Sequence, residues 1–175
     1  MMAFCLPVTA KAASGSLQLS ALSETVSKGS QVTVVCQVAS AESFADVSFR
    51  LSYDDSILTF LSGGKKVSGG NGMLEIASTG NTAEVPKKTF SLQFKAKKKG
   101  KATITATVSY RGKKKKLKCR VTVLQGAKKL RIVDEDKKSV NSIVLNKFDS
   151  VKLTGVVSPK KSNDKVMWKS YNPEV

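Results

Sequence analysis

The sequence predicts an all-β chain: an antiparallel β-sandwich followed by a partial second β-sandwich. Three observations carry this expectation. Apolar and polar residues alternate with a period of two in successive runs, the pattern of a strand with one packed face and one wet face. Turn-forming clusters separate the runs, and β-branched residues dominate them. No stretch carries the spacing of an amphipathic helix. A length of 175 residues suits one or two domains.

The elements follow in chain order. Met1 to Val8 is short and mainly apolar, and Ala10-Lys11-Ala12 fits the small-x-small rule for signal peptidase. Residues 1–12 are therefore expected to be the remnant of an export signal, with a mature chain starting near Ala13. That run falls short of the roughly 20 apolar residues that span a bilayer. Leu17 and Leu19 open the first strand. Ser27-Lys28-Gly29 turns into Val32, Val34, Cys36 and Val38. Val47, Phe49, Leu51 and Tyr53 alternate with Ser48, Arg50 and Ser52, and Tyr53-Asp54-Asp55-Ser56 ends that run. Gly69-Gly70-Asn71-Gly72 is a hairpin signal, because Asn-Gly accepts the left-handed backbone of a tight turn. Phe90, Leu92, Phe94 and Ala96 come next, then Ala102, Ile104, Ala106 and Val108, then Leu117, Cys119, Val121 and Val123. A boundary falls near Gln125-Gly126-Ala127, so the first domain is expected over 14–125 and a second over 128–175. Strand patterns are expected there at Leu130–Ile132, Ile143–Leu145, Val151–Leu153 and Val166–Trp168. Some 48 residues are too few for a sandwich to close unaided, so this second unit reads as incomplete at its C-terminal side.

Charge is concentrated in one place. The net charge is +17, with no histidine. Residues 1–92 hold seven basic and seven acidic groups, residues 93–129 hold fourteen basic and none acidic, and residues 130–175 hold nine and six. A two-residue turn at Arg111-Gly112 sets Tyr110 against Lys113. Thr107 then faces Lys116, Thr105 faces Lys118 and Thr103 faces Arg120. The outer face becomes a Thr/Lys ladder with Lys114, Lys116, Lys118 and Arg120, joined by Lys95 and Lys97 as candidate binding residues. Such a face attracts polyanions. It also serves simply to keep a sheet soluble. Nucleic acid is the weakest partner, since no aromatic residue interleaves the lysines.

Cys36 and Cys119 both fall on core-facing positions. They either close an inter-strand disulfide around an 84-residue loop or stay as buried thiols. Catalytic and cofactor signals are absent: no histidine is available as base or ligand, and no cofactor or metal is expected. Ser62-Gly63-Gly64-Lys65-Lys66 lacks the first Gly and the final Ser or Thr of a phosphate loop. Adjacent acids at Asp54-Asp55 and Asp134-Glu135-Asp136 read as turn caps.

Residues 16–124 resemble a bacterial cohesin-type domain. The carriers are Leu17 and Leu19, Lys28-Gly29-Ser30 before Val32-Thr33-Val34, and Phe49-Arg50-Leu51-Ser52-Tyr53-Asp54 followed by Leu58. Phe90-Ser91-Leu92-Gln93-Phe94-Lys95-Ala96 and Gly100-Lys101-Ala102-Thr103-Ile104 complete them. The resemblance implies a jelly-roll or immunoglobulin-like sandwich that binds dockerin modules through one sheet face. Residues 128–175 resemble the first half of a bacterial immunoglobulin-like domain of group 2, on Val157-Ser158-Pro159 and on Val166-Met167-Trp168-Lys169-Ser170-Tyr171-Asn172-Pro173-Glu174-Val175. Together they imply a non-catalytic secreted or cell-surface adhesion or scaffold module of a bacterium. Its partner is then a dockerin-like protein or a polysaccharide, such as an anionic wall polymer. The alternative is a spacer or stalk with no ligand of its own.

Overall fold

The computed structural model of the chain describes residues 8–11, 15–79, 84–110 and 113–171. Among these residues there are strands and turns and no helix. The chain divides into two compact units, Met1–Leu124 and Gln125–Val175.

In chain order the first unit holds β1 (Val8–Lys11), β2 (Gly15–Ala21), β3 (Thr25–Ser27), β4 (Gln31–Phe44), β5 (Val47–Ser52) and β6 (Leu58–Ser62). It continues with β7 (Val67–Gly70), β8 (Met73–Ser78), β9 (Val85–Ala96), β10 (Gly100–Tyr110) and β11 (Lys113–Leu124). They form two sheets, ordered β1-β2-β4-β9-β6 and β3-β11-β10-β5-β8-β7. The inward residues of both sheets meet in one buried cluster. Val32, Val34 and Cys36 of β4 lie in it with Phe90, Leu92, Phe94 and Ala96 of β9. So do Phe49 and Leu51 of β5, Ala102, Ile104 and Ala106 of β10, and Leu117, Cys119, Val121 and Val123 of β11. These are the residues that the alternation directs inward. Phe49 meets Phe90 edge-on at 5.9 Å and Tyr53 meets Phe94 at 5.1 Å, the arrangement that ring quadrupoles favour.

Two hairpins form as turn chemistry requires. Tyr110 pairs with Lys113, and the ladder continues through Thr107–Lys116, Thr105–Lys118 and Thr103–Arg120. Arg111 and Gly112 themselves lie outside the described residues. Gly70 pairs with Met73, and between them Asn71 (φ 49°) and Gly72 (φ 88°) both take left-handed backbone, as a type I′ turn requires.

The structure is the all-β, mainly antiparallel sandwich that the sequence predicts, and three details stand beside that expectation. The sandwich is not wholly antiparallel, because β3 runs parallel to β11 through Thr25–Thr122 and Val26–Val123. Val8–Lys11, within the segment expected to be an export signal, forms β1 along the edge of β2. The second unit is the third, and there the strand expectations fail. It holds β12 (Lys129–Val133) and β13 (Thr154–Ser158), paired antiparallel. Ile143–Leu145, Val151–Leu153 and Val166–Trp168 are not strands. A strand persists only as part of a ladder, and among the described residues these runs have no partner strand to join. Val166 instead packs on the backbone of Gly155, where an added Cβ would meet its Cγ1 at 2.6 Å. The apolar side chains have little to bury against: Val144 is 97% exposed, Phe148 94% and Trp168 56%.

A two-stranded sheet is marginal on its own. Amide hydrogen exchange is therefore expected to be fast through residues 129–171 and slow on the inner strands β4, β9 and β10. Equal protection in the two units would contradict this account of their cores.

Candidate functional site

The site is built by the β10–β11 hairpin. Ala102, Ile104 and Ala106 are buried on one strand, and Leu117, Cys119 and Val121 on the other. The residues between them have only the outer face left. Lys101, Thr103, Lys114, Lys116, Lys118 and Arg120 are exposed, and Thr105 and Thr107 half-buried. Lys114, Lys116, Lys118 and Arg120 occupy every second position of β11. Two residues of antiparallel strand advance about 7 Å, so these four cations form a row about 20 Å long. The threonines of β10 form a parallel row of hydroxyls directly beside it.

Neighbouring strands extend the face. Arg50 of β5 pairs with Thr107, and Glu75 of β8 pairs with Arg50. Glu75 is the one carboxylate on the strands of this sheet among the described residues. Arg50 and Lys101 are site members that sequence reasoning missed. Lys101 was legible, since it continues the outward alternation of Thr103 and Thr105. Arg50 was not, because alternation along one strand says nothing about which strand lies beside it.

Two expected members lie elsewhere. Lys95 sits on β9 between Gln31 of β4 and Thr59 of β6, so it projects from the outer face of the opposite sheet. Lys97 follows β9 in the loop to β10, where its N–H donates to the Ile57 carbonyl. The basic face is thus Arg50, Lys101, Lys114, Lys116, Lys118 and Arg120. The outer face of the opposite sheet is mainly amide and hydroxyl: Gln18, Gln37 and Thr89 form one row across it.

Other candidate groups are occupied locally. The Lys88 ammonium donates to the Ala45 carbonyl and to Ser78 Oγ at 3.4 Å, and lies 5.7 Å from the Phe44 ring centre. That lysine ties β9 to the β4–β5 connection. Asp54 Oδ1 accepts from Ser56 Oγ at 2.6 Å and Ser56 N–H at 2.9 Å. The Ser56 hydroxyl bond, with the turn's backbone N–H groups and Lys98 adding to it, holds the Asp54 carboxyl below the usual carboxylate range. Asp134 Oδ1 accepts from Lys138 N–H at 2.8 Å and caps its own turn. Among the described residues no group of three or more His, Cys, Asp or Glu stands where a metal ion could be held.

Cys36 and Cys119 stand as reduced thiols in the core, on opposite sheets. Burial pushes the Cys36 thiol up to about 12, and the Cys119 thiol adds to the shift. Because the folded value lies above the ordinary 9.0, folding favours the neutral thiol. This contribution is fully present below about pH 9 and is lost as pH rises toward 12. Each pH unit in that window removes at most about 1.4 kcal/mol. Denaturation followed against pH is expected to show a shallower alkaline fall for Cys36→Ala than for the parent chain. Parallel alkaline slopes would mean that Cys36 stays protonated in both states or is bridged.

No protein-family model matches the chain, and no curated protein matches it. Among solved structures, the seventh ScaB type I cohesin from Pseudobacteroides cellulosolvens aligns with a TM-score of 0.44 at 13% identity, over 59% of this chain and 88% of that one. The functional reading therefore rests on this chain's own residues.

Proposed function

We propose that the chain is a non-catalytic binding module of the bacterial exterior, which presents the outer face of its six-stranded sheet to an anionic partner. The observation that carries this is the basic face itself: six exposed cations on three adjacent strands, with Glu75 the one strand-borne acid beside them among the described residues. Residues 93–129 hold fourteen basic groups and no acid, and five of the six cations of the face come from that stretch. Export is supported by the Met1–Ala12 signal pattern. The tandem layout, with a second unit that resembles an immunoglobulin-like domain of group 2, fits a surface or scaffold protein. The partners that such a face admits are the acidic surface of a protein, as a dockerin-like partner would offer, or an anionic polysaccharide or wall polymer. A spacer with no ligand of its own is the competing account, and in it the lysines serve solubility alone.

Exposed cations act mainly on encounter rate and salt sensitivity. Replacing Lys114, Lys116 and Lys118 together by Gln leaves the fold intact, since all three side chains are exposed. The triple variant is expected to lose retention on purified bacterial cell wall at low salt and to match the parent at high salt. Coincident curves at low salt would leave the spacer account standing.

A further inference from the structure

The face differs from a general positive patch in its geometry. Its cations lie in one row along a strand at a regular repeat, and its flanking groups are hydroxyls. Lys114, Lys116, Lys118 and Arg120 recur about every 7 Å along β11. At physiological salt the Debye length is about 8 Å, so each cation acts within reach of the next. The row therefore carries a continuous positive potential and a mutual repulsion that an aligned polyanion relieves. Thr103, Thr105 and Thr107 stand one strand away, opposite Arg120, Lys118 and Lys116. Lysine, arginine and threonine are among the side chains that contact phosphodiester oxygens without reading what the phosphates connect. A lysine ammonium binds a phosphate as a point charge, without the fixed fork geometry that arginine brings to carboxylate and phosphate alike. Three of the four groups in the row are lysines. None of the outward residues named above is aromatic, and Phe49 of β5 is buried in the core. Nothing there stacks on a base or a sugar ring.

We infer that the row on β11 is a docking track for an extended linear polyphosphodiester of the glycerol-phosphate type, lying along the strand with successive phosphates against successive cations. The inference rests on the basic-face reading above and names the partner class of that face.

The test is binding of synthetic poly(glycerol phosphate) to the full chain across a salt series. Three chains are compared: the parent, Lys116→Gln with Lys118→Gln, and Lys87→Gln with Lys95→Gln. The last pair removes the same charge from the opposite sheet, where both lysines are exposed. The row variant is expected to weaken binding and to lower the slope of log affinity against log salt by about 1 for each lysine removed. The opposite-sheet variant is expected to bind like the parent. Affinity is expected to rise with oligomer length until the chain spans the four-cation row and then to level off. Equal weakening by the two variants would overturn both the inference and the basic-face reading, because bulk charge would then suffice. Retention of an acidic protein through Lys116 and Lys118, without retention of the polymer, would overturn the inference and leave the basic-face reading in place. Equal affinity for an oligodeoxythymidylate with the same number of phosphates would overturn it in favour of nucleic acid.

Discussion

The register of the β10–β11 hairpin is the constraint on which the rest depends. Over residues 101–108 and 116–123 its side chains alternate between a core of Ala, Ile, Leu, Cys and Val and a surface of Thr, Lys and Arg. Because the strand period is two, a slip of one residue exchanges the faces completely. It would turn Lys114, Lys116, Lys118 and Arg120 into the sandwich, and each unpaired buried charge costs several kcal/mol. The apolar set that closes the core therefore also fixes where every cation of the row stands. Stability and surface chemistry are two consequences of one register.

The same rule produces a second, contrasting face. On β9 the inward set is Phe90, Leu92, Phe94 and Ala96, and the outward set includes Thr89, Ser91 and Gln93. That sheet shows solvent a mainly neutral surface. Lysines consequently do different work in different places. Lys88 is held by a carbonyl, a hydroxyl and an aromatic ring, and its contacts tie elements together. Lys116 and Lys118 project from a sheet surface with hydroxyls as neighbours. A count of positive charge cannot distinguish these roles; sheet membership can.

Much of the first unit was legible in the sequence, for a physical reason. Alternation reports burial strand by strand, so Val34, Leu92, Ile104 and Val121 could be assigned to the core without knowing any neighbour. The Arg111-Gly112 connection fixed the hairpin register because a tight turn leaves one pairing. Sheet membership was not legible. Lys95 and Lys116 have the same outward pattern on their own strands, yet they face opposite sides of the molecule. The parallel pairing of β3 with β11 was hidden as well, since Thr25–Ser27 is too short to carry a period. Val67–Gly70 ends in two glycines and shows none. In the second unit, apolar runs at Ile143–Leu145 and Val166–Trp168 looked like strands. Local pattern supplies the propensity for a strand, but the ladder needs a partner that these runs lack among the described residues.

The central claim is that ligand contact belongs to the outer face of the six-stranded sheet, because the hairpin register puts the cations there. Backbone amide NMR of the full chain, titrated with poly(glycerol phosphate) at low salt, reads this directly. The account predicts shifts confined to Arg50, to residues 101–107 and to residues 114–120, reversed by added salt. Shifts of equal size around Lys87 and Lys95, or through the second unit, would contradict it.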